Sequence, residues 1–155
     1  MNNSSTEKPL VLVTGGASGM GRAIVERMAQ GGWRVVMADY NGELAERETQ
    51  VLRNAGLDVE CRAIDLTDEA AVRAMVQQLP PLTALVNNAG IFDERAFLDV
   101  TSADFRRMYE VNLLAVATLT QEAARKMADG ARIVNIASRA YLGAKNHAHY
   151  VASKA

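Results

Sequence analysis

The chain is poor in the features that would commit it to several large classes of function. Its 155 residues hold a single cysteine, Cys61, so no internal disulfide can form and a disulfide-stapled secreted scaffold is excluded. No sign of charge dominates: 17 basic residues stand against 18 acidic ones, a net charge of -1, and no basic cluster marks a nucleic-acid or anionic-membrane partner. Apolar runs fall far short of a membrane span, and the opening "MNNSSTEKP" lacks the charged and apolar regions of a secretion signal. Internal repeats and low-complexity tracts are missing as well. Together these absences fit a reducing, cytoplasmic setting. The content of 49% hydrophobic and 23% charged residues over this length suffices for one ordinary domain with a real core.

Residues 1–8 read as a flexible polar tail. Beyond them, short apolar runs alternate with helix-like stretches. "LVLVTGG" is an apolar run ending in glycines, and "GMGRAIVERMAQGG" is an amphipathic helix closed by Gly31 and Gly32. "RVVMAD" is a second strand, followed by a helix from about Gly42 to Ala55. "DVECRAID" is a third, with a helix from about Asp68 to Leu79 stopped by Pro80 and Pro81. "TALVNNAG" and "ARIVNIAS" supply strands four and five, a long helix spans roughly 102–127 between them, and a last helix begins near Ala148. Strands alternating with helices predict an α/β, doubly wound, Rossmann-like parallel sheet, because parallel strands need crossovers. The strands are continuous Val/Ile/Leu runs, as expected where both sheet faces are buried.

Between the first strand and first helix lies "TGGASGMG", Thr14 to Gly21, with glycines at 15, 16, 19 and 21. This is not the GxGxxG spacing, but the physical logic is similar. Glycine lets the turn adopt conformations closed to other residues and lets backbone approach a pyrophosphate, while the helix start offers free N–H groups and a positive dipole end. The nucleotide reading is preferred to that of a ligand-free tight turn. Asp39 ends the second strand, eighteen residues past Gly21, where a dinucleotide fold places an acid on the adenosine ribose. Tyr40 and Asn41 follow it, with no arginine to take a 2′-phosphate. Asp65 could reach the adenine edge or, with Thr67 and Asp68, cap the next helix. "NNAG", 87–90, follows the fourth strand at the ligand-binding edge of the sheet, and alone it is equally a turn held by asparagine amides.

The chain closes on "HAHYVASKA", in which Tyr150 and Lys154 stand four apart. On a helix they share a face about 6 Å apart along the axis, one way to make a phenol acidic enough to trade a proton. In order along the chain, TGxxxGxG at 14–21, Asp39, Asp65–Leu66, NNAG at 87–90, Asn112, Ser138 and YxxxK at 150–154 resemble the short-chain dehydrogenases/reductases. The resemblance implies an NAD-dependent oxidoreductase that interconverts an alcohol and a carbonyl. Thr14, Gly15, Ser18, Gly19, Met20, Gly21, Asp39, Asp65, Leu66, Asn88, Ala89 and Gly90 would contact the cofactor, with Tyr150 and Lys154. Tyr150 would be the acid/base, Lys154 would lower its pKa and bond the nicotinamide ribose, Ser138 would orient the substrate oxygen, and Asn112 would hold a proton-relaying water. No metal is required. The partner implied is a small alcohol or carbonyl, with neither nucleic acid nor membrane, and the full-length protein would be a homo-oligomer.

Two departures from the family pattern stand out. Ser138 and Tyr150 are twelve apart, tighter than is common, and the loop between them, "RAYLGAKNHAH", carries His147 and His149, both read as pocket-wall or surface histidines rather than ligands. Relatives also continue well beyond this length, so residues 9–155 read as a dinucleotide-binding domain incomplete at its C-terminal end. Two alternatives stay open: a nucleotide-binding Rossmann protein or inactive fragment without catalysis and, more weakly, a sugar-nucleotide epimerase or dehydratase. The TGxxxGxG spacing disfavours the last.

Overall fold

A computed structural model describes residues 7–155. Its elements are β1 (Leu10–Thr14), α1 (Gly19–Gln30), β2 (Arg34–Asp39), α2 (Gly42–Asn54), β3 (Val59–Ala63), α3 (Glu69–Gln78), β4 (Ala84–Asn87), α4 (Ser102–Tyr109), α5 (Ala115–Ala124), β5 (Arg132–Asn135) and α6 (Ala148–Lys154). The strands pair in the order β3-β2-β1-β4-β5, every pair parallel. Strand order reverses between β1 and β4, so the loops leaving these two strands part and open a crevice at the carboxyl edge of the sheet.

β1 is buried along its whole length, and its alternate residues feed two cores. Leu10 and Leu12 pack with Val36 and Leu85 against Val72, Met75 and Val76 of α3 and Leu119 and Ala123 of α5. Val11 and Val13 pack on the other side, with Val35 and Val86, against Val25 of α1 and Ala45 and Leu52 of α2. Each fully buried Val or Leu contributes about 1.5–3 kcal/mol of transfer free energy, which holds the central strands rigid beneath the crevice. Lys126 braces the back of the sheet, donating to the Val76 and Gln77 carbonyls at the open end of α3 at 2.9 and 3.0 Å.

Several expectations need correction. Burial of every strand on both faces holds for β1 and β4 but not for the two edge strands: in β3 only Val59 is buried, and Ile133 and Val134 of β5 are 41% and 47% exposed. β5 is an edge strand with β4 as its strand neighbour, and its four residues, alternating between the two faces, are all exposed. Strands three to five are shorter than 58–65, 83–90 and 131–138, because their last residues leave the ladder to build loops. The long helix over 102–127 is interrupted by a π-helical segment, Glu110–Leu114, and ends at Ala124. There the Ala115 N–H donates to the Glu110 carbonyl, five residues back, in the stretch where the Asn112 side chain is drawn off to another part of the chain. The tail expected over 1–8 lies mostly outside the described residues; within them, Lys8 pairs with Asp58 at 3.0 Å.

Candidate functional site

Thr14, the last residue of β1, is buried, and its hydroxyl accepts from the Asn88 and Ala89 N–H groups, each at 3.0 Å. The Asn88 amide answers by donating to the Thr14 and Gly15 carbonyls at 3.0 and 3.1 Å. The ends of β1 and β4 are thereby stitched together, with Thr14 and the Asn88 side chain working beneath the loop. Gly15 has φ +61°, and a Cβ there would stand 2.9 Å from the Ala89 Cα. A Cβ on Gly21 would stand 1.9 Å from the Gly15 carbonyl oxygen. Only glycine fits either place. Ser18 is the N-cap of α1 in extended conformation, and its side chain makes no capping bond. Ser18, Gly19 and Met20 are exposed, leaving the first-turn N–H groups of α1 without an intrahelical acceptor at an open surface, a ready phosphate cradle.

A cavity of about 490 Å³ runs along this edge, lined by Gly15, Asp39, Tyr40, Asp65, Leu66, Ala89 and Gly90 among others. The Asp39 carboxylate is fixed at both oxygens, by the Ala17 N–H and the Asn41 N–H, each at 2.9 Å. Each oxygen retains acceptor capacity for a hydroxyl. Tyr40 beside it is 77% exposed. Asp65 does not cap α3: Asp68 does, accepting from the Ala71 N–H at 3.0 Å. Asp65 instead takes the Thr67 hydroxyl at 2.7 Å and its N–H at 2.9 Å, and these bonds hold its carboxyl below the usual carboxylate range. The cavity wall also uses Ile91, Arg107, Glu110 and Val111, which sequence reasoning missed. The available signal was that Arg107 and Val111 lie one helical turn apart on the helix that carries Asn112.

Asn112 and Lys154 converge on Gly90, which lines this cavity. A Cβ on Gly90 would lie 3.0 Å from Asn112 Oδ1 and 3.4 Å from Lys154 Nζ. Lys154 Nζ donates to the Ile136 carbonyl at 3.3 Å, and burial pushes its pKa below the ordinary lysine value. Asn112, buried within the π-helical segment, spends its amide hydrogens on the Ile91 carbonyl at 3.0 Å and Ser153 Oγ at 2.9 Å. The expected water on Asn112 therefore has no amide hydrogen to use. Ser153, another residue sequence reasoning passed over, in turn donates to the Tyr150 carbonyl at 2.8 Å.

Ser138 caps the short 3₁₀ turn Arg139–Leu142, accepting from the Ala140 N–H at 3.1 Å, which leaves its own proton free to donate. Tyr150 is half-buried, its ring edge-on to Phe92 with centroids 4.9 Å apart, while Phe92 stacks on His147 at 4.8 Å. Among the described residues, the Tyr150 hydroxyl bonds neither Ser138 nor Lys154. His149 is not a surface histidine: it is fully buried, with Nε2 3.3 Å from Asp93 Oδ2. The described residues hold no group of three or more His, Cys, Asp or Glu able to grip a metal ion.

Comparison with known proteins agrees with this layout. A sequence profile of the short chain dehydrogenase family matches residues 9–155. Sorbitol dehydrogenase of Cereibacter sphaeroides is 34% identical over 136 residues, covering 83% of this chain and 52% of the relative. Cyclopentanol dehydrogenase of Comamonas testosteroni is 35% identical over 153 residues, covering 94% of this chain and 61% of the relative. A blue fluorescent protein from a metagenomic library, solved in complex with NADPH, superposes with a TM-score of 0.85 at 35% identity, covering 94% of this chain and 63% of that one. This chain thus spans between 52% and 63% of the lengths of these proteins.

Proposed function

The chain belongs to the short-chain dehydrogenase family, and on that premise we propose that it binds NAD and interconverts an alcohol and a carbonyl by hydride transfer, from one dinucleotide-binding domain starting at residue 9. The observation that carries this reading is the convergence of Asn112 and Lys154 on Gly90, in the wall of a cavity that Gly15 and Asp39 also line. The cavity fits a dinucleotide. The glycine loop has no room for side chains at Gly15 and Gly21, the first turn of α1 presents unpartnered N–H groups for a pyrophosphate, and Asp39 is held ready for ribose hydroxyls. Thr14 and Asn88 support this cradle from below, Ser18, Gly19 and Met20 form its rim, and Asp65 and Leu66 flank the adenine end.

When bound, the nicotinamide would exchange the hydride with the substrate carbon; the proton is left to the chain's own groups. Tyr150 is the acid/base, giving its hydroxyl proton to a carbonyl oxygen or, as phenolate, taking one from an alcohol. A free phenol has a pKa of about 10, and an ammonium one turn away on the same helix favours the phenolate. Lys154 supplies that charge without a carboxylate partner among the described residues. Ser138, whose proton is free, orients the substrate oxygen, and Phe92 with His147 walls the approach to Tyr150. Asn112 acts by locking the segment after β4 to α6. A homo-oligomer is supported by the outward Leu113 and Leu114, half-exposed beside α5.

The test is alcohol-dependent reduction of NAD and of NADP by the purified protein over a panel of polyols and secondary and cyclic alcohols. Tyr150→Phe should lower kcat by about 10²–10⁴-fold, the range for a lost general acid/base. Wild-type turnover in that variant would overturn the reading.

A further inference from the structure

We propose that His149 is a positioning residue for Tyr150, held by Asp93, so that a buried imidazole sets the orientation of α6. This rests on the reading of Tyr150 as the acid/base. α6 packs against α4 and the π-helical segment, and these contacts set its direction. Its two buried residues are His149 and Ser153, four apart and on one face. Tyr150 and Lys154 form a second stripe, one residue along and rotated roughly 100° about the axis. The anchoring stripe is thus in fixed phase with the stripe that does the chemistry.

Ser153 secures the C-terminal end of the helix through Asn112. His149 secures the N-terminal end, with Nε2 3.3 Å from Asp93 Oδ2 and its ring edge-on to Phe105 at 6.1 Å. Asp93 only accepts when ionised, so Nε2 carries the proton, and Nδ1 is left buried without a partner. A side chain serving only to fill this space would do better as Leu or Phe, which strand no polar atom. What the histidine adds is a directional bond, and its acceptor is itself braced. Arg95 reaches Asp93 at 3.2 Å and Asp104 at 2.9 Å, and the Arg95 N–H donates to the Asn146 carbonyl at 2.8 Å. Asp104 belongs to the capping box that starts α4. A chain of bonds thus runs from the start of α4, through the segment after β4, to the residue beside Tyr150.

The experiment compares His149→Phe, His149→Gln, Asp93→Leu and Tyr150→Phe with wild type, reading kcat, cofactor KM and amide exchange across 148–154. Asp93 is partly exposed, so its replacement leaves the core intact even if His149→Phe folds poorly. His149→Phe and Asp93→Leu should lose about ten- to hundredfold in kcat with cofactor KM within about twofold, since small misplacements of reacting groups cost that much. Exchange over 148–154 should rise about tenfold or more in both variants, reporting positioning independently of turnover. Gln keeps an N–H donor at Nε2 and should restore both readouts to within about threefold. Wild-type exchange and turnover in Asp93→Leu, or failure of Gln to rescue, would overturn the proposal. If Tyr150→Phe alone keeps full turnover, the acid/base reading falls, while the exchange data still decide whether His149 orients α6.

Discussion

Ile91 and Asn112 pair as two neighbouring strands would: the Ile91 N–H donates to Asn112 Oδ1 at 2.8 Å, and Asn112 Nδ2 returns a bond to the Ile91 carbonyl at 3.0 Å. A side chain here completes the hydrogen bonding of a main-chain segment that follows β4 into the site. Asn112→Asp keeps the shape but sets a carboxylate oxygen against the Ile91 carbonyl and loses the donor to Ser153. It should cost about 1–3 kcal/mol of stability, the cost of stranding buried polar groups, read by denaturant unfolding. Turnover should fall further than stability alone explains, because the joint also reaches Tyr150 through Ser153.

Gly21→Ala tests the cradle. Its methyl would sit 1.9 Å from the Gly15 oxygen and 2.5 Å from the Asn88 amide, both of them parts of the stitch between β1 and β4. The loop must shift, and dinucleotide affinity should fall about tenfold or more, roughly 1.4 kcal/mol, by calorimetric titration. An unchanged affinity would place the nucleotide elsewhere.

Asp39 should make the protein prefer NAD to NADP. A 2′-phosphate beside an ionised carboxylate in a partly dry crevice costs on the order of 1–3 kcal/mol, about ten- to hundredfold in affinity. Titration of both cofactors at one ionic strength measures it. Asp39→Ala should narrow the preference while loosening the loop, since the Ala17 and Asn41 N–H groups lose their acceptor. Equal or tighter NADP binding by the wild type would contradict the assignment.

Lys154 should trade stability for activity. Burial lowers its pKa in the folded protein, so folding disfavours its charged form. The unfolded chain therefore binds more protons between the lowered folded pKa and the ordinary value near 10.4, and stability rises with pH across that window. Lys154→Met should melt no lower than wild type at pH 7 and should lose this alkaline gain, while alcohol oxidation collapses. Thermal melts from pH 7 to 10 and initial rates check both halves. A Met variant less stable at pH 7 would mean that the Ile136 bond outweighs desolvation.

Local patterns made much of this molecule legible. Short apolar runs marked the strands, and the glycines after the first of them marked a loop with no room for a Cβ at 15 or 21. Spacing alone singled out Asp39 at the end of β2 and the Tyr150/Lys154 pair on α6. What escaped depends on partners distant in sequence: Asn112 and Ile91 are 21 residues apart, and His149 and Asp93 are 56 apart. No periodicity encodes such pairs, so the partners of His149 and Asn112 could not be read from the sequence. Thr14 and Asn88 lie at the ends of β1 and β4 as the sequence indicated, but whether their side chains face the crevice or the loop beneath it is decided by β1 lying beside β4, which only the assembled sheet reveals.

The π-helical segment between α4 and α5 is, in effect, a one-residue insertion concealed in a continuous helix. It sets the rotational phase between a helix that meets α6 and one whose Leu119 and Ala123 fill the core over α3. Removing one residue from 110–114 other than Asn112 would let the helix close into regular α geometry with α4 and α5 near their present phase, because the π turn already absorbs one extra residue. Leu119 and Ala123 would keep their places in the core, while Asn112, inside the former π turn, would rotate about the axis and leave Ile91. Length in this stretch is therefore as constrained as identity, and a deletion that preserves every named site residue would still uncouple the site from its foundation.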